Sequence, residues 1–144
     1  MTQSSFSLVV IDMQEVFRHS ESQWCVPRYA SAQTNIEKIL RTQPENVVWT
    51  RFVRDPRETG SWRDYYERWG SCREGPQSAL WDLTLSAQPT HSVMSAPTFS
   101  KWGEELAHLT DSVAQLVVCG VATDCCVLST VLGAVDAGKQ VTVV

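Results

Sequence analysis

Two adjacent cysteines, Cys125 and Cys126, stand where the sequence changes from a strand pattern to a helix pattern. The apolar run before them stops at Gly120, and the chain then passes through small residues to Asp124, a good candidate for a helix N-cap. Backbone N–H groups and the helix dipole favour an anion at such a position, so we expect a thiol there to ionise more readily than a free cysteine. The pattern predicts that one of the two cysteines is a nucleophile that attacks a carbonyl substrate.

Asp12 is the candidate general base for this thiol. It follows Phe6–Ile11, a mostly apolar and β-branched run that is typical of a strand buried on both faces. The first and fourth strands of a doubly wound sheet are commonly neighbours, so their carboxyl ends would bring Asp12 beside the Gly120–Cys126 loop. A carboxylate there can take the proton of the thiol and return it to a leaving amine. The competing interpretation is that Asp12 only caps a turn.

Composition indicates a single soluble domain over residues 1–144. Hydrophobic residues make up 43% of the chain and the net charge is −4, which excludes a basic surface for nucleic acid or an anionic membrane. No apolar run approaches the roughly 18–20 residues that cross a bilayer, and Met1–Ser5 lacks the features of a signal peptide. The five cysteines include no CxxC pair, so we expect free thiols in a reducing compartment and a cytoplasmic protein.

The order of elements predicts the fold class. Apolar runs indicate five strands, at Phe6–Ile11, Val47–Val53, His91–Met94, Ala114–Cys119 and Gln140–Val144. Helices are expected from Pro27 to about Arg41, over Trp62–Trp69 inside a functional loop, over Lys101–Leu109 behind Ser100 as N-cap, and from Cys125 to Gly138. This alternation predicts an α/β, Rossmann-like three-layer α/β/α fold with a mainly parallel sheet. Because an apolar last strand needs cover, we also expect C-terminal elements to be missing or borrowed from a neighbouring subunit.

Several cofactor classes lack their motifs. Neither GxGxxG nor GxxxxGK[ST] occurs, which argues against nucleotide, dinucleotide and flavin chemistry. The three histidines are scattered and form no HxH or HExxH pattern, so a zinc site has little support. We therefore predict no cofactor and no metal.

Four segments together resemble one family over essentially the whole chain: LVVIDMQ at Leu8–Gln14, VVWTRF at Val47–Phe52, PTFSKW at Pro97–Trp102 and GVATDCCV at Gly120–Val127. They are similar to the isochorismatase-like cysteine hydrolases, which include nicotinamidases and N-carbamoylsarcosine amidase-like enzymes. These proteins use an Asp–Lys–Cys triad and usually assemble as dimers or tetramers. The resemblance implies a homo-oligomer that acts on a small molecule.

Carried over residue by residue, the resemblance implies that Asp12 is the triad aspartate. It also implies that Cys126, and not Cys125, is the nucleophile. It further implies a cis peptide bond between Val121 and Ala122, and an oxyanion hole made by the backbone N–H groups of Ala122 and Cys126.

The sequence departs from the family pattern at the triad lysine, whose position is occupied by Ala96. Lys101 is the nearest ammonium, but we expect it to point from a helix instead of from the strand end, and so not to replace the lysine. Loss of one charge-stabilising group commonly costs on the order of 100- to 1,000-fold in rate. We therefore expect an impaired chain, either an engineered variant or a natural member with altered chemistry.

A second departure concerns the metal site of nicotinamidases, an Asp-x-His cluster after the second strand. Arg51–Asp55 contains no histidine, so we expect no zinc and no nicotinamidase activity. The substrate pocket should instead use the aromatic loop, with these candidate binding residues: Trp24, Arg51, Trp62, Trp69 and Trp102.

The function that follows is a cysteine hydrolase that cleaves a small amide, carbamoyl or ureido C–N bond through a Cys126 thioester. Two alternatives stay open. One is an isochorismatase-type vinyl ether hydrolase, a branch that can dispense with the cysteine. The other is a catalytically silent binding or assembly protein, for which the missing triad lysine is the best argument.

Overall fold

The structure is a computed structural model and describes residues 5–144. The expectation about a signal segment rests on Met1–Ser5, most of which lies outside the described residues. Five strands are formed, at Phe6–Ile11 (β1), Asn46–Phe52 (β2), Ser92–Ala96 (β3), Gln115–Gly120 (β4) and Gln140–Val143 (β5). The α-helices span Glu15–Arg18 (α1), Tyr29–Leu40 (α2), Ser61–Arg68 (α3), Glu104–Leu109 (α4) and Leu128–Asp136 (α5).

The strands form one parallel sheet in the order β3-β2-β1-β4-β5. The predicted α/β class is confirmed, and the sheet is parallel throughout its described part. The central strand β1 is apolar along its length because both faces are covered, and Leu8 to Ile11 have no exposed surface. The direction of winding reverses between β1 and β4, and the crevice at the carboxyl ends of such a pair is where open α/β sheets bind ligands.

Helices and short turns cover the sheet. Helix α2 contacts β4, α4 contacts β3 and α5 contacts β5. A 3₁₀ turn at Ala79–Trp81 is tied to the carboxyl edge by the buried Gln14, whose Nε2 donates to the carbonyls of Phe52 and Trp81 at 2.9 and 2.7 Å. The Gln14 Oε1 accepts the Phe52 N–H at 2.7 Å. This fully bonded amide fixes the ends of β1 and β2 relative to each other.

The element boundaries that bear on the site differ from the predictions at β3 and α4. Strand β3 continues to Ala96, which pairs with Phe52. Helix α4 begins at Glu104 behind Gly103, so the prediction of a helix starting at Lys101 with Ser100 as its N-cap is wrong. The short helix α1 was not predicted.

The segment after β4 also differs from the prediction. It is a π-helical turn at Thr123–Val127 that continues into α5, and it begins behind Ala122. Asp124 therefore lies inside the first turn and is not the N-cap. No helix in the described part of the chain has the length and hydropathy to cross a membrane.

Candidate active site

Asp12 is held in one orientation directly after β1. Its backbone is in the left-handed region, with φ of 49°, which is uncommon for any residue but glycine and tolerated best by Asn and Asp. Its N–H points at the carbonyl and the hydroxyl oxygen of Thr50, both at 3.2 Å, and the Thr50 hydroxyl donates to Oδ1 at 2.6 Å. Neither Asp12 nor Thr50 has any exposed surface. The carboxylate is therefore buried and fixed from the neighbouring strand β2.

Lys101 supplies the positive charge beside this carboxylate. Its Nζ lies 2.8 Å from Asp12 Oδ2, and both side chains are 0% exposed. The ammonium also donates to the carbonyls of Thr98 and Phe99, at 2.7 and 3.1 Å, so each of its three N–H groups has an acceptor. It lies 4.9 Å from the centre of the Phe52 ring. A buried ion pair with this many partners is rigid and fully hydrogen-bonded.

The expectation that Lys101 would point from a helix is therefore wrong. The physical reason is that Pro97–Trp102 is a loop and not the first turn of α4, so the Lys101 side chain is free to turn inward. Ala96 is the last residue of β3, and its carbonyl accepts the Val53 N–H at 3.1 Å. The cation that Ala96 does not provide is placed beside Asp12 by a residue five positions later.

Cys126 lies in the π-helical turn, where the Val127 N–H bonds to the Ala122 carbonyl at 3.1 Å, five residues back. Thr130 joins this turn to Lys101. The buried Thr130 hydroxyl donates to the Cys126 carbonyl at 2.7 Å and accepts the Lys101 N–H at 2.9 Å. Sequence reasoning missed Thr130 and Thr50, although Thr50 could have been found from its position near the end of a strand next to β1.

The loop between β4 and Cys126 approaches β1 closely. Gly120 has φ of 119°, and a Cβ there would lie 2.1 Å from the Ile11 carbonyl oxygen, so this position requires glycine. The peptide bond between Val121 and Ala122 is cis, as predicted. In the described part of the chain, the Ala122 N–H has no hydrogen-bond acceptor. That donor is available for an oxygen of a ligand.

The electrostatic environment favours protonated thiols in the free protein. Burial raises the pKa of Cys126 well above its usual range, the negative charge of Asp12 raises it further, and the Lys101 ammonium opposes the shift. Burial and the Asp124 carboxylate also raise the pKa of Cys125. The helix-dipole argument predicted the opposite direction for these thiols, and burial outweighs it. For Cys126 to act as a nucleophile, a base would have to remove its proton.

A cavity of about 150 Å³ opens at this edge of the sheet. The residues that line it include the small residue Ala122, the acidic residue Asp124 and both cysteines, Cys125 and Cys126. The remaining walls are aromatic, and we call these four residues the aromatic wall: Phe17, Trp24, Tyr65 and Phe99. Each ring of the wall packs against at least one other; the Trp24 and Tyr65 rings, for example, lie 5.6 Å apart. The site therefore joins a thiol, a buried ion pair and an apolar cavity.

Of the predicted binding residues, Trp24 lines this cavity. Trp62 packs behind the aromatic wall, with its ring 4.9 Å from that of Phe99. Trp69 lies outside the wall, next to Tyr65 at 6.4 Å.

Two further predicted binding residues, Arg51 and Trp102, are used for packing and hydrogen bonding. Arg51 donates from Nε to the Trp81 carbonyl at 3.1 Å. The Trp102 side chain packs against α5 at Gly133, where an added Cβ would lie 2.8 Å from the Trp102 Cβ. Neither residue is among those that line the cavity.

A metal does not fit the residues after β2. The Asp55 carboxylate is bonded to Arg57, with Oδ2 2.9 Å from the guanidinium, and the segment contains no histidine. Within residues 5–144, no group of three or more His, Cys, Asp or Glu side chains is placed to hold a metal ion.

The fold and the site together define an α/β protein with a cysteine and a buried Asp–Lys pair at the topological switch point. The isochorismatase domain model matches residues 7–144, so the chain belongs to the isochorismatase family of hydrolases. No curated protein matches the chain.

Solved structures share this fold at low sequence identity. A cysteine hydrolase from Pseudomonas syringae pv. phaseolicola superposes with a TM-score of 0.86 at 21% identity, covering 100% of this chain and 76% of that one. N-carbamoylsarcosine amidase from Thermoplasma acidophilum gives 0.75 at 19% identity, covering 97% and 81%. The pyrazinamidase of Pyrococcus horikoshii, solved in complex with zinc, gives 0.76 at 22% identity, covering 96% and 83%.

Proposed function

We propose that this chain is an active cysteine hydrolase that cleaves the C–N bond of a small amide, carbamoyl or ureido compound. The observation that carries the proposal is the buried Asp12–Lys101 pair beside the Cys126 thiol, on a cavity large enough for a small molecule. Burying two charges is costly and is rarely justified by stability alone. A catalytic use of the pair accounts for its place at the switch point of the sheet.

In the proposed reaction, Asp12 takes the proton of the Cys126 thiol as sulfur attacks the substrate carbonyl. The developing oxyanion accepts hydrogen bonds from the N–H groups of Ala122 and Cys126. Asp12 then gives its proton to the leaving nitrogen, the C–N bond breaks, and ammonia or an amine departs from a thioester. Asp12 next removes a proton from water, which attacks the thioester carbonyl and releases a carboxylic acid and the free thiol.

Lys101 has a supporting role in this mechanism. Its three N–H groups are already bonded within the protein, so it acts through its charge and not by donating to substrate. It holds the Asp12 carboxylate in place and opposes the rise in the pKa of Cys126. The impairment expected from Ala96 assumed that this cation was missing, and we propose instead that Lys101 takes the role of the family lysine.

The test is ammonia release from a panel of small primary amides, measured with wild type, Cys126→Ala and Cys125→Ala. We expect activity in wild type and Cys125→Ala, and none in Cys126→Ala. A thioester adduct should be found on Cys126 by mass spectrometry after rapid quenching. If Cys126→Ala kept full activity, Cys126 would not be the nucleophile. If no amide were cleaved and no adduct formed, a binding or assembly protein would be the better description.

We further propose that the chain forms a homo-oligomer, a dimer or tetramer, in the cytoplasm. Helix α5 presents a row of apolar side chains that are about half exposed, Leu128, Leu132 and Val135. Exposed apolar rows of this kind commonly mark interfaces. Sedimentation velocity of the purified chain tests the assembly, and a monomer at micromolar concentration would contradict it.

A further inference from the structure

We propose that the cavity beside Cys126 selects small amides that carry an alkylammonium group, and that it rejects amides that carry a carboxylate. This inference rests on the proposed hydrolase function and names the substrate class of the same site. The two features that support it are the aromatic wall and the carboxylate of Asp124.

One residue determines the charge of the cavity lining. Among the described residues that line it, Asp124 is the one charged side chain. Asp124 is exposed and lines the cavity beside Cys125, and its negative charge adds to burial in raising the pKa of that thiol. The one charge among the described lining residues is therefore negative, whereas the charge of the nearby Asp12 is paired with that of Lys101.

Three nearby cations are already bonded within the protein. The Lys101 ammonium is fully buried, and its three N–H groups are bonded to Asp12 and to two carbonyls. Arg51 is bonded to the Trp81 carbonyl, and Arg54 is paired with Glu58 at 2.7 Å. Arg68, whose charge reaches Tyr65, is stacked over the Trp69 ring at 5.1 Å. A carboxylate entering the cavity would therefore lose water and meet no cation among the described residues that line it.

The aromatic wall suits a cation without hydrogen-bond donors. Ring faces attract alkylated ammonium groups, and such groups need no hydrogen bond when they are desolvated. A cavity of about 150 Å³ is the size that holds a benzene-sized molecule, and a trimethylammonium group is comparable in size. Phe17, Trp24, Tyr65 and Phe99 supply the rings, and the exposed Asp124 supplies the countercharge.

The experiment compares three probes that share the acetamide group. Betaine amide carries a trimethylammonium group, and malonamate carries a carboxylate. The uncharged isostere of betaine amide is the primary amide 3,3-dimethylbutanamide, here called tert-butylacetamide. Binding is measured by calorimetry with Cys126→Ala, so that turnover does not interfere. We expect betaine amide to bind about tenfold more tightly than tert-butylacetamide, and malonamate to bind too weakly to measure.

Variants of Asp124 separate its charge from the rest of the cavity. In the Cys126→Ala background, Asp124→Asn should weaken betaine amide several-fold and leave tert-butylacetamide unchanged. Asp136→Asn is the matched control, since Asp136 is also exposed but lies at the far end of α5, and it should change neither affinity. Asp124→Lys should reverse the order and allow malonamate to bind.

The proposal would be overturned if Cys126→Ala with Asp124 intact bound malonamate as tightly as betaine amide. It would also be overturned if Asp124→Asn did not change the preference between the probes. These outcomes are separate from failure of the hydrolase proposal. If the charge preference is found in binding but wild type releases no ammonia from any probe, the cavity selects cations and the hydrolase proposal fails. If ammonia is released from all three at similar rates, the hydrolase stands and the charge selection fails.

Discussion

Two carboxylates follow neighbouring strands at the same edge of the sheet, and each is paired with a cation, but their surroundings are opposite. Asp12 and its partner Lys101 are 0% exposed, whereas the side chains of Asp55 and Arg57 are 34% and 87% exposed. The exposed pair joins residues two positions apart and holds only its own loop. The buried pair joins residues 89 positions apart and connects β1 to the loop after β3. The exposed pair therefore has a local role and the buried pair connects distant parts of the chain, and burial is what distinguishes them.

The largest effect is expected from removing the buried cation. Lys101→Met leaves the Asp12 carboxylate buried without its partner, which should lower the free energy of unfolding by about 3–5 kcal/mol. Amide hydrolysis should fall by about 100- to 1,000-fold because the charge beside the proposed nucleophile, Cys126, is lost. Urea unfolding and ammonia release measure the two effects. The double variant Asp12→Asn/Lys101→Met should recover much of the stability and none of the activity, and recovery of both would contradict the assignment.

The same pair should control the ionisation of Cys126. Because burial and Asp12 raise the pKa of Cys126, the rate at which iodoacetamide alkylates it should keep rising with pH beyond the range of a free cysteine, about 8.5. Asp12→Asn removes a negative charge and should move the titration to lower pH, while Lys101→Met should move it higher. The rate is measured by mass spectrometry of the Cys126 peptide. A plateau below neutral pH in wild type would contradict the burial argument.

The hydroxyl of Tyr66 is a buried polar group like the Asp12 carboxylate, but it has no partner among the described residues. Its side chain is 2% exposed, and its hydroxyl has no hydrogen-bond partner in the described part of the chain. Burial raises the pKa of this phenol above its usual range, so it is neutral at every ordinary pH. Tyr66→Phe removes the unpaired hydroxyl and should stabilise the protein by about 1 kcal/mol in urea unfolding, with activity unchanged. The matched variant Tyr65→Phe removes a hydroxyl from a residue that lines the cavity, and it should alter substrate affinity instead. If the two variants changed stability and substrate affinity equally, the different roles given to Tyr66 and Tyr65 would be wrong.

The smallest effect is expected from breaking the exposed pair. Arg57→Ala removes the partner that holds the pKa of Asp55 below its usual value, but both groups are solvated and screened. The midpoint of thermal unfolding and the rate of amide hydrolysis should both stay within experimental error of wild type. A loss of activity comparable to that of Lys101→Met would show that burial does not separate the two pairs as described.

The strands and the Gly120–Cys126 loop could be predicted because their signals are local. Continuous apolar runs mark Phe6–Ile11 and the strand before Gly120, and a parallel sheet then brings Asp12 to the Gly120–Cys126 loop. The π-helical turn could not be predicted, since its start behind Ala122 depends on how the loop meets β1.

The prediction for Lys101 is wrong because it starts helix α4 three residues too early. Ser100 is a reasonable N-cap by type, but its hydroxyl accepts the Trp102 N–H in a loop, and the helix begins only after Gly103. An error of three residues changes the direction of a side chain from solvent to the core. Burial also reversed the expected direction of the thiol pKa values, because a dipole argument contains no measure of desolvation.

The central claim is that Lys101, and not the residue at position 96, supplies the cation of the site. The most direct measurement is kcat/KM for ammonia release by three proteins: wild type, Lys101→Met and Ala96→Lys. We predict that Lys101→Met loses about 100- to 1,000-fold and that Ala96→Lys gains nothing, because a second ammonium has no vacant carboxylate to pair with. An unimpaired Lys101→Met together with a strongly activated Ala96→Lys would contradict the account.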